Sequence, residues 1–164
     1  MLARAVPPVL DVGCGPGRHV LALAARGVTA MGIDPAPGAV SIAATSGAPV
    51  LLRSVFEDVP GASRWGSALL MDGNIGIGGD PRRLLVRLRD LLRRGGRGLV
   101  EVDAPGRPMK RLTARIESGS SRSDAFPWAF VGADDIGDLA RSAGFSLTDL
   151  WMEGARWFAC LDAS

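Results

Sequence analysis

Three glycines at alternate positions, Gly13-Cys14-Gly15-Pro16-Gly17, stand where the apolar run PVLDV (8–12) stops and a helical pattern begins. A side-chain-free bend between a strand and a helix turns backbone N–H groups and the positive end of a helix dipole toward a polar ligand at short range. The spacing is G-x-G-x-G. It therefore lacks the third glycine position of the dinucleotide fingerprint G-x-G-x-x-G, and no Gly-Lys-Ser/Thr of a phosphate-cradling loop follows. Pro16 removes a further backbone donor. These residues predict a nucleoside-like ligand with little phosphate to hold. Asp34 sharpens that prediction, because it ends a second apolar run, TAMGI (29–33), where a carboxylate can accept from both hydroxyls of a ribose.

A bend and a carboxylate that far apart in sequence meet only if their strands lie side by side with a helix between them. Short apolar runs do alternate with helical patterns over the first hundred residues, which predicts an α/β chain. After PVLDV, a helix spans Gly17 to Arg26 and is closed by Gly27; after the strand 29–33, a helix over Pro37 to Ser46 is closed by Gly47 and leads to PVLLR (49–53). Residues 54–66 carry no helical pattern. SALLM (67–71) has the unbroken apolar character of a strand covered on both faces. From Pro81, PRRLLVRLRDLLRR places Leu84, Leu88, Leu91 and Leu92 on one stripe, and Gly95 and Gly96 are expected to end this helix before the strand GLVEV (98–102). Its arginines, Arg93 and Arg94 included, suit a solvated face and the helix dipole better than a nucleic-acid surface. Beyond Asp103, MKRLTARIES and AFPWAFV form a hairpin inserted in the sheet, with a turn over 118–123. A helix with an acidic start follows at 133–144, and then a final strand pair, FSLTDLW and ARWFACL.

A chain of 164 residues is one domain's worth, and 47% hydrophobic with 22% charged residues is the balance of an ordinary globular protein. The net charge is only +2, and no nucleic-acid partner is expected. No apolar stretch approaches the roughly 20 residues of a membrane span, and no leader pattern opens the chain, so a cytoplasmic protein is expected. Cys14 and Cys160 are far apart and in no metal-binding spacing. They predict neither a disulfide nor a metal site, and Cys14 is expected to be a small apolar residue in the bend.

VLDVGCGPG followed by GIDPAPGAV resembles motifs one and two of the class I S-adenosylmethionine-dependent methyltransferases, and DGNIGIGGDP with RSVF and RWG is similar to a group of small bacterial members. The resemblance implies an α/β, Rossmann-like three-layer sandwich. Its mostly parallel seven-stranded sheet would run in the order 3-2-1-4-5-7-6, with strand 7 antiparallel and a β-hairpin insertion after strand 5. The cofactor it implies is S-adenosyl-L-methionine, leaving as S-adenosyl-L-homocysteine, and the partner a small-molecule methyl acceptor, in specialised metabolism. Asp11 would orient the loop and reach the methionine amino group. Gly13, Cys14, Gly15 and Gly17 would form the loop under the methionine and ribose, with Asp34 holding the ribose and Pro35 packing near the adenine. Many relatives place a carboxylate after the third strand for the adenine amino group; here Ser54 stands there. Adenine contacts then fall to Val55 and Phe56, with Glu57 or Asp58 as alternatives. Asp72, Gly73 and Asn74 would lie beside the transferred methyl.

A sulfonium methyl needs alignment and exclusion of water more than catalytic side chains. A hydroxyl acceptor would add the need for a base, and Asp72, His19, Glu101 and Asp103 are candidates by type, with no choice among them. Few residues precede the first strand, so either the hairpin region 104–132, with Trp128 and Phe130, or a second subunit of a homodimer is expected to cover the site. A cofactor-binding protein without transfer activity, serving as a regulatory or assembly partner, is the alternative. An NAD-dependent reductase is disfavoured, since a chain without tyrosine has no Tyr-x-x-x-Lys pair.

Overall fold

The computed structural model describes residues 1–119 and 121–164. The unbroken apolar runs become the strands β1 (Val9–Val12), β2 (Ala30–Asp34), β3 (Val50–Leu52), β4 (Trp65–Leu70) and β5 (Leu92–Val102). Every residue of β1 and β4 is buried, as it must be for strands with helices on both faces. The helical patterns become α1 (Arg18–Ala24), α2 (Pro37–Thr45), α3 (Pro81–Leu91) and α4 (Ile136–Ser142). In α3 the buried stripe is Leu84, Leu85, Leu88 and Leu91; Pro81 takes the first turn, and the Asp80 carboxylate accepts from the Arg83 N–H at 3.2 Å. Both features satisfy or remove donors that a helix start leaves unpaired.

After β5 come β6 (Lys110–Ala114), β7 (Glu117–Ser118), β8 (Ser121–Arg122) and β9 (Phe126–Phe130), then β10 (Phe145–Glu153) and β11 (Arg156–Ala163). The main sheet runs β3-β2-β1-β4-β5-β11-β10, parallel except that β11 is antiparallel to both its neighbours. This is the expected 3-2-1-4-5-7-6 arrangement. Leu10, Val12, Leu70 and Val100 pack against α3 and α4 on one face, while Val9, Leu69, Leu99 and Phe158 pack with Leu23 of α1 on the other. The sheet is therefore the middle of three layers.

Two expectations need correction. First, α3 ends at Leu91, before Arg93 and Arg94, because Leu92 turns to extended backbone (φ −75°, ψ 146°) and is buried beside Trp65. The glycine pair does not end the helix. Gly95 has φ +68°, and between Trp65–Leu92 and Ser67–Arg97 the ladder absorbs extra residues on β5, so the glycines form a bulge at the start of the strand. Second, the hairpin is not part of the main sheet: β6 pairs with β9 in a sheet of its own. Both edges of β5 are already taken by β4 and β11, which leaves the insertion no strand to join. The turn expected at 118–123 includes Ser120, which lies outside the described residues.

The hairpin is nonetheless seated firmly. β9 lies on the 3-10 turns of Asn74–Gly79 so closely that a Cβ at Gly76 would stand 2.1 Å from the Ala129 carbonyl oxygen, and one at Gly79 would stand 2.7 Å from Pro127. The acidic start of α4 serves the same end. The Gly106 N–H donates to the Asp134 carboxylate and the Met109 N–H to that of Asp135, each at 2.6 Å.

Candidate functional site

Parallel strands bring the carboxyl ends of β1, β2, β3 and β4 to one edge of the sheet, where ligands of open α/β sheets bind. The glycine bend leaves β1 at that edge, with positive φ at Gly13, Gly15 and Gly17. The three glycines are required for different reasons. A Cβ on Gly13 would stand 2.7 Å from Asn74 Nδ2, and one on Gly17 2.7 Å from the Ala48 methyl, so both positions are emptied by the protein's own packing. Gly15, at φ +52°, has nothing within 4 Å of where its Cβ would be. Of the three, it alone faces open space. Cys14 packs against Gly32 of β2, and burial, with Asp11 and Asp34 nearby, pushes its thiol up to about 12. It is the inert apolar residue expected.

Asp34 ties the bend to the end of β2. Its Oδ2 accepts from the Gly15 N–H at 2.9 Å and its Oδ1 from the Ala36 N–H at 2.8 Å. Asn74 clamps the other side, donating through Nδ2 to the Val12 and Gly13 carbonyls, both at 2.9 Å. Beside these lies a cavity of about 450 Å³ whose wall includes Gly13, Asp34, Pro35, Val55, Phe56 and Asn74. These are half of the residues singled out from the motifs; Asp11, Cys14, Gly15, Gly17, Asp72 and Gly73 do not line it. Glu57 is spent on the Ser54 N–H at 2.7 Å, and neither it nor Asp58 lines the cavity. The far wall comes from the hairpin region: Ile116, Phe126, Pro127 and Trp128 face the same space.

Around Asp72 the chemistry changes from apolar to ionic. Asp72, itself at φ +57°, accepts from Arg18 of α1 and from Arg156 of β11, while Arg156 also forks onto both oxygens of Glu101. Glu101 in turn accepts from the Asp72 N–H at 2.6 Å. All four carboxylate oxygens of Asp72 and Glu101 are therefore engaged by guanidinium or backbone donors. The hydrogen bond to Glu101 is the chief reason that the Arg156 guanidinium holds its proton even more tightly than usual. Gly73, at φ +80°, is open in the same sense as Gly15. It borders a small recess with Glu101, Asp103 and Phe130, and Asp103 has no ion pair among the described residues.

His19 lies apart from this edge. Its Nδ1 stands 3.5 Å from Asp11 Oδ2, and it lines a second cavity, of about 410 Å³, with Arg156 and Phe158. Asp11 is buried with no hydrogen bond to either carboxylate oxygen. Arg18, Arg53 and Arg156 went unnoticed in the sequence. Arg18 and Arg53 adjoin the motifs and could have been found by that adjacency; Arg156 is on the last strand, with no local signal.

A family model described as a methyltransferase domain matches residues 9–96, more than half of the chain. No curated protein matches it at the level of sequence. Among solved structures, a SAM-dependent methyltransferase from Bacteroides fragilis in complex with S-adenosyl-L-homocysteine superposes with a TM-score of 0.85 at 24% identity, over 99% of this chain and 75% of that one. The 1,6-didemethyltoxoflavin-N1-methyltransferase of Burkholderia thailandensis, bound to 1,6-didemethyltoxoflavin and S-adenosylhomocysteine, gives 0.70 at 20% identity over 95% and 70% of the two chains. The sugar N-methyltransferase KedS8 of Streptoalloteichus sp ATCC 53650 gives 0.67 at 17% identity over 95% and 80%. At these identities the structures report a shared fold, and the family match adds the activity: the chain belongs to the methyltransferase domain family and is a class I S-adenosylmethionine-dependent methyltransferase.

Proposed function

We propose that the protein methylates a small-molecule acceptor, holding the nucleoside of S-adenosyl-L-methionine in the 450 Å³ cavity at the ends of β1 to β3. The observation that carries this reading is the convergence of an open glycine at Gly15, the Asp34 carboxylate and the apolar walls at Val55 and Phe56. The residues fit the cofactor. Each oxygen of Asp34 accepts one N–H and keeps a lone pair for a ribose hydroxyl. Gly15 offers its backbone without a side chain in the way, and Asp11, buried behind the bend without a hydrogen bond and 3.5 Å from His19 Nδ1, is a carboxyl group suited to an ammonium near the loop. The bound cofactor supplies a methyl group already activated by its sulfonium.

What remains for the chain is to orient the acceptor and exclude water. Phe126, Pro127 and Trp128 line the wall opposite the sheet, which supports a covering role for the hairpin region 104–132 over the nucleoside rather than over the acceptor alone. Asp72 and Glu101 serve to hold the loop after β4 in shape, since their oxygens are already committed. Asp103, unpaired beside Gly73 and Phe130, is the carboxylate placed to take a proton from an acceptor. A small acceptor is favoured because proteins of this fold include a 1,6-didemethyltoxoflavin-N1-methyltransferase and a sugar N-methyltransferase. Calorimetry with S-adenosylhomocysteine should give one site per chain, and label from the cofactor's methyl should appear in an extracted metabolite. Transfer of that label to macromolecules alone would end the small-molecule reading.

A further inference from the structure

The nucleoside cavity departs from the arrangement that its own motifs lead one to expect, and the departure has a chemical direction. Asp34 is the only carboxylate among the residues lining it, and both of its oxygens already accept backbone N–H groups. Glu57, the nearest alternative, is turned back onto the Ser54 N–H. Neither Glu57 nor Asp58 lines the cavity, so no further carboxylate among the lining residues faces the exocyclic amine of a purine. What the cavity does contain there is a cation. Arg53 lines it and forms no ion pair among the described residues; its Nε is closed off even with the cavity empty, which leaves the terminal N–H groups of the guanidinium as the donors a ligand can meet. Its backbone N–H donates to the Asp34 carbonyl at 3.0 Å, which fixes its stem beside the ribose carboxylate. A guanidinium has five donors and no acceptor. It can address the ring nitrogens of a purine, which accept, and has nothing to offer an amino group, which donates.

The remaining walls are faces rather than hydrogen-bonding edges. Phe56 is held between the Arg83 guanidinium, 4.5 Å from its ring centroid, and Gly78, where a Cβ would stand 2.8 Å from the ring. Trp128 is braced edge-on by Phe126 at 5.9 Å between centroids. Both rings face the cavity from opposite sides of the chain's topology, one from the end of β3 and one from the hairpin. Aromatic walls of this kind hold any flat base and do not read its substituents.

From these observations we infer that the protein selects its nucleobase through the ring nitrogens, with Arg53 as donor between the walls of Phe56 and Trp128, and leaves the 6-amino group unread. The inference rests on the proposal that this cavity holds the cofactor's nucleoside. A guanidinium without an ion pair gains from an acceptor placed against its terminal N–H groups, because hydrogen bonds to charged groups are stronger than those between neutral ones.

The test is calorimetry on the whole chain with S-adenosylhomocysteine and with its 6-desamino purine analogue, which keeps every ring nitrogen and lacks only the amine. The expected result is affinities within threefold of one another for the normal protein. Arg53→Met should weaken both ligands by about tenfold or more, and Arg53→Lys, which keeps a donor, should recover part of the loss. Unchanged melting temperatures would show that the variants remain folded. A loss of tenfold or more for the desamino analogue, or undiminished affinity in Arg53→Met, overturns the inference while leaving the cofactor assignment intact. If the normal protein binds neither ligand, it is the cofactor assignment that fails.

Discussion

The two ends of the site are built on different principles. At the nucleoside end, backbone groups and apolar walls do the positioning: Asp34 pins the bend through two N–H groups, and glycines are emptied so that Asn74 and Ala48 can close in. At the other end, four charged side chains from α1, the loop after β4, β5 and β11 hold one another, with Glu101 the most buried and Arg18 and Asp72 about half exposed. The first kind of construction is stiff, because its parts cannot move without losing packing. The second can be loosened locally, because solvent is at hand to replace a lost ion pair. Under the proposed function, this sets a shape-defined pocket at the cofactor beside an ionic border toward the acceptor.

Removing Asp34 should break that comparison at its strongest point. Asp34→Ala deletes the ribose acceptor and the two ties to Gly15 and Ala36, and affinity for S-adenosylhomocysteine should fall roughly 100-fold, since hydrogen bonds to charged groups contribute about 1.5–3 kcal/mol each. Methylthioadenosine, which lacks the amino-acid end, should lose affinity to the same degree in that variant; if it does not, the carboxylate is not at the ribose. Arg156→Met attacks the other end. It leaves Glu101 without its forked partner and Asp72 with one guanidinium fewer, and turnover should drop by about tenfold through a misplaced loop, a loss typical of one positioning contact of about 1.4 kcal/mol. Binding of methylthioadenosine should be unchanged, and a parallel loss there would show that the two ends are not separable. The smallest effect concerns Cys14, whose thiol rises from 9.0 to about 12 on folding. Between those values the unfolded chain gives up a proton that the folded chain keeps, so stability falls as pH climbs through this window. Melting temperatures measured from pH 8 to 11 should decline less steeply for Cys14→Ala.

The contrast also explains what could be read in advance. The bend, Asp34 and the strand-helix alternation are local patterns within the first hundred residues, and parallel topology converts them directly into neighbours. The hairpin was legible as two alternating segments, but its place was not. Only the occupation of both β5 edges by β4 and β11 reveals that it must leave the sheet and settle on Gly76 and Gly79. The end of α3 differs from its periodicity for a related reason. Helical periodicity runs on through Arg94, yet burial of Leu92 beside Trp65 outweighs it and moves the glycine pair into a bulge.

By itself, then, the sequence determined the strand-helix alternation, the identity of the bend and the residue that ends β2, because each is a local pattern; the sheet order came through the family resemblance, since β1 pairs with β4 and β5 with β11 across long stretches of chain. Tertiary structure alone decided that Gly13 and Gly17 make room for the protein's own side chains while Gly15 faces open space. It alone brought Arg156 to Glu101 and Asp72, and turned Trp128 toward Asp34's cavity. Those outcomes rest on approach between segments far apart in the chain, and no local spacing encodes how closely distant backbones will pass.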